Sequence, residues 1–284
     1  MGSQELIIAS TTPEEYKKFD SRSMKPIYFT EIDGSANAVV ELLEYVKSDN
    51  FKKKVEYIPP NPISLQLAIV DRCIKQAKEI NVVNKFKEYD EKMLMKEKVY
   101  ENSKVIYDQI MLIQEAIVFG YTALETFANL SIPSDYKYSF KNSKGIVETY
   151  DKKAIERWVS LDDKLSEILI EIYGTKSIKT KNLWNEFIIF EGYRHEIIHQ
   201  KSIDYTSFYR KYFKNNIYKY LKVPRLLIGF YRDEASKIGR NNPLWPWMGD
   251  EGDKIPTRYG AKKLFSQSEI TGNLFEEKTK YKKS

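Results

Sequence analysis

The chain has 284 residues, of which 42% are hydrophobic, so it is long enough to bury one large core or two smaller ones. It carries 46 basic and 40 acidic residues, and this net charge of +6 permits nucleic-acid binding without requiring it. Its single cysteine, Cys73, excludes an intrachain disulfide and a cysteine-based zinc site. The first residues lack a signal-peptide pattern, and no apolar run reaches the length of a membrane span. We therefore expect a soluble, cytoplasmic protein that does not contact a membrane.

Residues 1–60 are predicted to form an N-terminal extension. Pro26–Thr30 favours a strand, and Asp33–Ser35 favours a turn before a short helix at Ala38–Lys47. The proline-rich run Ile58–Pro62 is typical of a rigid linker, so we place a domain boundary at residue 60.

Helical periodicity dominates residues 61–240, because apolar side chains recur there at intervals of three and four residues. Lys104–Leu130 carries the strongest pattern. A β-hairpin is predicted at Tyr136–Tyr150. The other predicted helices are Ser64–Ile80, Lys85–Lys98, Asp151–Trp158, Leu161–Tyr173 between Ser160 and Gly174, Thr180–Ser202, a segment from Asp204 or Thr206 to Lys214, and Ile217–Ile238 with an interruption at Pro224. The sequence predicts a mainly α fold: a helical bundle with a small β-hairpin insertion.

Residues 241–284 are predicted to form an irregular C-terminal tail, because prolines, glycines and a lysine-rich end fall there. Leu244–Met248 contains two tryptophans, which are unusual on an exposed surface. We expect this segment to pack onto the rest of the protein.

Both histidines of the chain lie in Thr180–Ser202, which is predicted to be a helix with Thr180 as its N-cap. Arg194 projects from the apolar stripe of this helix, where a lone guanidinium is costly unless it is paired or lines a cleft. His195 and His199 lie four residues apart on a neighbouring face. Imidazole is the side chain best placed to change charge near neutral pH, so this helix is the candidate site for proton chemistry.

Glu125 and Asn129 lie one turn apart near the end of the Lys104–Leu130 helix. Glu125 is at the edge of the apolar stripe, and Arg194 is the cation most in need of a carboxylate. We therefore expect the two helices to pack side by side, with Glu125 facing Arg194.

These residues resemble the HEPN superfamily of α-helical domains, many of which are metal-independent ribonucleases. The resemblance covers roughly residues 100–235. It is carried by Ala123-Leu124-Glu125 and Asn129 on one long helix, by Trp184 and Phe187, and by Arg194-His195 followed by His199 on a later helix. It implies an endoribonuclease without cofactor, with Arg194, His195 and His199 as catalytic residues and Glu125 and Asn129 in support. It also implies RNA as the partner, a homodimer in which two copies of the motif meet, and a role as a toxin or anti-phage defence effector.

RNA cleavage suits these residue types, because RNA carries its own nucleophile in the ribose 2′-hydroxyl. His199 can transfer the proton, Arg194 can bind the phosphate, and His195 can assist. A ribonuclease also predicts a basic groove beside His199. The basic residues that flank the motif in sequence are Lys176, Lys179, Lys181, Lys201, Arg210 and Lys211.

Two other functions stay open. His195-Glu196 followed by His199 matches the His-Glu-x-x-His pattern of zinc hydrolases, with Glu196 as the base. A catalytic zinc needs a third protein ligand, and the chain has no third histidine. The remaining candidates are the carboxylates of Asp204, Asp233 and Glu234. Alternatively, Arg194 and both histidines are structural, and the domain is a non-catalytic interaction or RNA-binding module.

Overall fold

Helices make up most of the structure, a computed structural model that describes residues 5–9, 12–35, 37–47, 54–82, 95–199, 207–249 and 254–260. The described residues also include one π-helical turn, at Lys164–Ile168, and two 3-10 turns, at Ile178–Thr180 and Phe208–Phe213. Within these ranges the α-helices are α1 (Pro62–Val82), α2 (Met95–Ser131), α3 (Lys152–Trp158), α4 (Leu161–Asp163), α5 (Leu169–Tyr173), α6 (Asn182–Ile198), α7 (Ile217–Leu221) and α8 (Val223–Lys237). The expected mainly α class is confirmed.

Seven short strands accompany the helices in the described part of the chain. They are β1 (Glu5–Ala9), β2 (Ile27–Thr30), β3 (Asn37–Val46), β4 (Val55–Tyr57), β5 (Tyr138–Lys141), β6 (Val147–Tyr150) and β7 (Thr257–Tyr259). Five of them form a sheet in the order β1-β3-β2-β7, with β4 also paired to β3. Only the β2–β7 pair is parallel. The strand expected at Pro26–Thr30 and the hairpin expected at Tyr136–Tyr150 are confirmed as β2 and as β5 with β6.

The helix predicted at Ala38–Lys47 is wrong, because this segment is the strand β3. β3 pairs with β1, β2 and β4, so neighbouring strands satisfy its backbone groups. Val39 and Val40 are buried, and β-branched side chains suit a strand. Pairing with three other strands overrides the local helix preference of this sequence.

The chain divides into two units, each assembled from separate segments. The first comprises the described parts of Met1–Leu65, Thr126–Ser177 and Gly229–Ser284, and it holds the sheet, the hairpin and α3 to α5. The second comprises the described parts of Gln66–Glu125 and Ile178–Ile228, and it holds α6, α7 and most of α1 and α2. The predicted division into residues 1–60, 61–240 and 241–284 stays a prediction.

Trp245 lies at the centre of the first unit. It is 1% exposed, its ring packs against those of Phe127 and Tyr173, and its Nε1 donates to Ser131 Oγ at 2.7 Å. Packing of Leu244–Met248 onto the protein is therefore confirmed. The predicted irregular tail nevertheless supplies the strand β7, while residues 250–253 and 261–284 lie outside the described residues.

The helix ends follow local chemistry where a polar cap is present. Asn61 caps α1, since its Oδ1 accepts hydrogen bonds from the backbone N–H groups of Ile63 and Ser64 at 3.0 Å each. Gly174 ends α5 as predicted, with a left-handed φ of 61°. α2 extends beyond the predicted Lys104–Leu130 and includes the end of the segment predicted as Lys85–Lys98, whose residues 85–94 lie outside the described chain.

By length and composition α2 could cross a membrane, a weak indication that the core helix of a soluble protein also gives. Ile113, Ile117, Leu124 and Phe127 of α2 are fully buried. α2 therefore has the character of a core helix, which agrees with a soluble protein, and the cytoplasmic compartment stays a prediction.

Candidate functional site

Gly120 allows α2 to approach other helices of the second unit closely. A Cβ atom at this position would lie 2.9 Å from Pro224 Cγ, 3.1 Å from Phe190 Cζ and 3.6 Å from Val70 Cγ2. The first two distances are shorter than ordinary van der Waals contacts between carbon atoms. Glycine at residue 120 therefore sets the spacing between α2 and α6, the helix that carries the histidines.

The residue after this glycine, Tyr121, contacts two residues of α6. Its hydroxyl donates to Glu191 Oε1 at 3.0 Å, and its ring centroid lies 4.7 Å from the guanidinium carbon of Arg194. Burial, followed by the nearby charge of Glu191, raises the pKa of Tyr121 above its ordinary value. The hydroxyl therefore stays a neutral donor, and the ring offers its face to the cation.

Tyr121, not Glu125, is the residue of α2 that contacts Arg194. α2 and α6 do meet at Gly120 and Tyr121, but within the described residues no ion pair joins Glu125 to Arg194. Glu125 is half-buried one turn beyond Tyr121, and its charge contributes to the raised pKa of that tyrosine. Asn129 belongs to the first unit, where its Oδ1 accepts a hydrogen bond from Lys164 Nζ at 2.9 Å. The expected Glu125–Arg194 pair is thus corrected to a contact between a cation and an aromatic ring.

The two histidines are brought together at the C-terminal end of α6. The backbone N–H of His199, the residue that ends the helix, donates to the carbonyl oxygen of His195 at 2.9 Å. Their ring centroids are 4.6 Å apart, with the ring planes inclined by 49°. Both side chains are exposed, and in the described ranges no side-chain hydrogen bond is recorded for either imidazole. Both rings are therefore accessible to a substrate.

The start of α6 differs from the prediction. α6 begins at Asn182, and Lys181 occupies the cap position without a capping hydrogen bond from its side chain. Thr180, the predicted N-cap, instead ends the preceding 3-10 turn. Thr180, although a threonine is favoured at N-caps, therefore lies two residues before the first residue of α6 and does not cap it.

Lys211 pairs with Glu196, the residue that follows His195. Its Nζ lies 2.8 Å from Glu196 Oε1, and the two side chains are 45% and 41% exposed. Such an exposed ion pair stabilises a fold by only about 0–1 kcal/mol. Because Glu196 neutralises Lys211, this lysine adds no net positive charge there, and the basic groove beside His199 stays a prediction. Lys179 lies instead beside Trp184, near the start of α6, and Lys201 is outside the described residues.

A zinc ion bound by His195 and His199 would need at least one further protein ligand. Across the described ranges, no group of three or more His, Cys, Asp or Glu residues is placed to hold a metal. Asp233 pairs with Arg232 and Glu234 with Lys237, and Asp204 lies outside the described residues. The described residues of one chain therefore supply only the two imidazoles of such a site.

One exposed stripe of α6 combines an isoleucine and a glycine with the two histidines. Ile188, Gly192, His195 and His199 follow one another at helical spacing along one stripe, and all four are exposed. Ile188 is 43% exposed, and a Cβ atom at Gly192 would meet nothing within 4 Å. This face can accept another helix at short distance.

Comparisons of the chain with protein-family models, with curated proteins and with solved structures find no match.

Proposed function

We propose that the protein is a metal-independent endoribonuclease with a HEPN-like helical bundle, and that Arg194, His195 and His199 are its catalytic residues. One observation carries the proposal. Two exposed imidazoles lie 4.6 Å apart on a helix that also presents Arg194, which has no carboxylate partner among the described residues. A proton-transferring pair and an unneutralised guanidinium are what phosphodiester cleavage requires.

The reaction uses the substrate's own nucleophile. The ribose 2′-oxygen bonds to the adjacent phosphorus and the bond from phosphorus to the 5′-oxygen breaks, which leaves a 2′,3′-cyclic phosphate and a 5′-hydroxyl. His199 accepts the proton of the 2′-hydroxyl, and a protonated His195 gives a proton to the departing 5′-oxygen. Arg194, a permanently charged planar fork, binds the non-bridging phosphate oxygens.

The same proposal includes a homodimer formed through the exposed face of α6. Gly192 leaves room for a second helix, and the exposed side chain of Ile188 gains by being covered. A second copy placed on this stripe would bring two histidine pairs towards each other. A role as a toxin or anti-phage effector follows only from the resemblance to HEPN domains.

A non-catalytic interaction module is the second candidate. The exposed apolar side chains of Ile188, Ile189 and Ile198, which are 43%, 44% and 51% exposed, favour this alternative because they suit a partner surface. A zinc hydrolase has less support, since the described residues supply only the two imidazoles of such a site.

The test is incubation of the purified protein with end-labelled RNA in excess EDTA, followed by analysis of the product ends. The proposal predicts cleavage that leaves 2′,3′-cyclic phosphates. Cleavage that EDTA abolishes and zinc restores would favour the zinc hydrolase. RNA that is bound but left intact would favour the non-catalytic module.

A further inference from the structure

An aromatic ring, rather than a carboxylate, holds Arg194. Its guanidinium carbon is 4.7 Å from the centroid of the Tyr121 ring, and the described residues include no ion-pair partner for it. A carboxylate would cancel the positive charge and occupy N–H groups of the guanidinium. A ring face attracts the cation without accepting its N–H donors in the way a carboxylate does.

Burial and a hydrogen bond of its hydroxyl hold the Tyr121 side chain. Tyr121 is 8% exposed, and its hydroxyl donates to Glu191 Oε1 at 3.0 Å. Its neighbour Gly120 lies where α2 meets Phe190 and Pro224. Since the ring cannot move freely, neither can a cation that rests on it.

We infer that Tyr121 is a positioning residue, whose ring holds the guanidinium of Arg194 so that the N–H donors of Arg194 can bind an anion. The identity of that anion, an RNA phosphodiester, rests on the proposed function. The substitution Tyr121→Phe keeps the ring and removes only the hydrogen bond to Glu191, whereas Tyr121→Leu removes the ring.

The cleavage arm measures kcat for a labelled RNA in EDTA. Tyr121→Leu is expected to lower kcat by about tenfold to a hundredfold, the effect of misplacing a catalytic group by roughly 1 Å. Tyr121→Phe should retain most of the activity, and Tyr107→Leu, at a tyrosine of the same helix that is 61% exposed, should be neutral. In an Arg194→Ala background, Tyr121→Leu should have no further effect. Two results would overturn the inference. One is a wild-type kcat in Tyr121→Leu. The other is a Tyr121→Leu effect on kcat that is as large in the Arg194→Ala protein as in the wild type.

The second arm needs no activity. Thermal unfolding midpoints are measured for Tyr121→Leu, Arg194→Ala and the double variant, and the contact predicts that the two shifts do not add. Additive shifts would overturn the inference. If the wild type cuts no RNA but the shifts are non-additive, the ribonuclease proposal fails while the Tyr121–Arg194 contact is supported.

NMR gives a third readout on the protein with Tyr121 unchanged, which serves if Tyr121→Leu does not fold. The ring current of Tyr121 should shift the NMR signals of the Arg194 side-chain N–H protons, which Arg194→Lys would assign by their disappearance. Signals at ordinary arginine positions would contradict the inference.

Discussion

Gly120→Ala should destabilise the protein, although alanine is the better helix former. Gly120 lies in the interior of α2, where exchanging glycine for alanine normally stabilises a helix by about 1 kcal/mol. Here the added methyl group would lie 2.9 Å from Pro224 Cγ and 3.1 Å from Phe190 Cζ. Neither ring has a flexible end that can move aside, so the helices must separate.

The expected magnitude comes from the two opposing terms. Overpacking a well-packed site typically costs about 1–3 kcal/mol, and the gain in helix propensity offsets about 1 kcal/mol of it. Gly229→Ala in α8 is the matched control, because its methyl group would meet only Met248 Cε at an ordinary 3.8 Å. The propensity gain is common to both variants, so the difference in their free energies of unfolding isolates the overpacking cost of about 1–3 kcal/mol.

Urea unfolding followed by far-UV circular dichroism gives both free energies by linear extrapolation. The reasoning predicts that Gly120→Ala is less stable than the wild type and that Gly229→Ala is at least as stable as the wild type. If Gly120→Ala proved as stable as Gly229→Ala, the close approach of helices at Gly120 would be refuted.

Three further outcomes follow from burial and exposure. Burial raises the pKa of Cys73 to about 11, and with 1% exposure this thiol should resist a disulfide reagent until urea unfolds the protein; rapid labelling of the native protein would contradict this. The pKa of Tyr121 is raised in the folded state, so its stabilising contribution is complete below about pH 10 and declines as the pH rises further. In Tyr121→Phe the free energy of unfolding should therefore fall less steeply with pH above that value than it does in the wild type. An equal slope in the two proteins would count against a raised pKa of Tyr121. Ile188→Asp should shift sedimentation towards a monomer, while Ile146→Asp, at a side chain that is 58% exposed, should leave the oligomeric state unchanged. Equal behaviour of the two variants would argue against a dimer through α6.

Local patterns predicted the helices well and the sheet poorly. The apolar stripe of Lys104–Leu130 lies within α2, and the helix predicted at Asp151–Trp158 is α3. Asp151 caps α3, since its side chain accepts a hydrogen bond from the backbone N–H of Ala154 at 2.9 Å. Strands depend on partners that are distant in sequence, as in the pairing of Tyr28 with Thr257. The strand at Ala38–Lys47 depends on pairing with β1, β2 and β4, and a pattern read within the segment alone does not include those partners.

The site was predictable in part. An arginine on the apolar stripe of a helix indicated a specific partner, and the spacing of His195 and His199 indicated that they share one face of the helix. The partner of Arg194 was predicted from charge alone, which favoured Glu125 over Tyr121, four residues earlier in the same helix. Tyr121 fitted the apolar stripe equally well as a core residue, so its contact with Arg194 required the structure. Gly120 did indicate a close approach of helices at this point of α2, because a glycine in the interior of a long helix usually has a packing reason.

The most direct test of the central claim compares RNA cleavage by four proteins in excess EDTA: the wild type, Arg194→Ala, His199→Ala and Arg225→Ala. Arg225 pairs with Asp71 at 2.5 Å on the surface of the same unit, so its variant controls for loss of one positive charge. The account predicts that the wild type and Arg225→Ala leave 2′,3′-cyclic phosphates. Both other variants should lose about a hundredfold or more in rate, the usual contribution of a general acid or base and of an oxyanion-stabilising donor. An inactive wild type, or cleavage that survives in Arg194→Ala and His199→Ala, would contradict it.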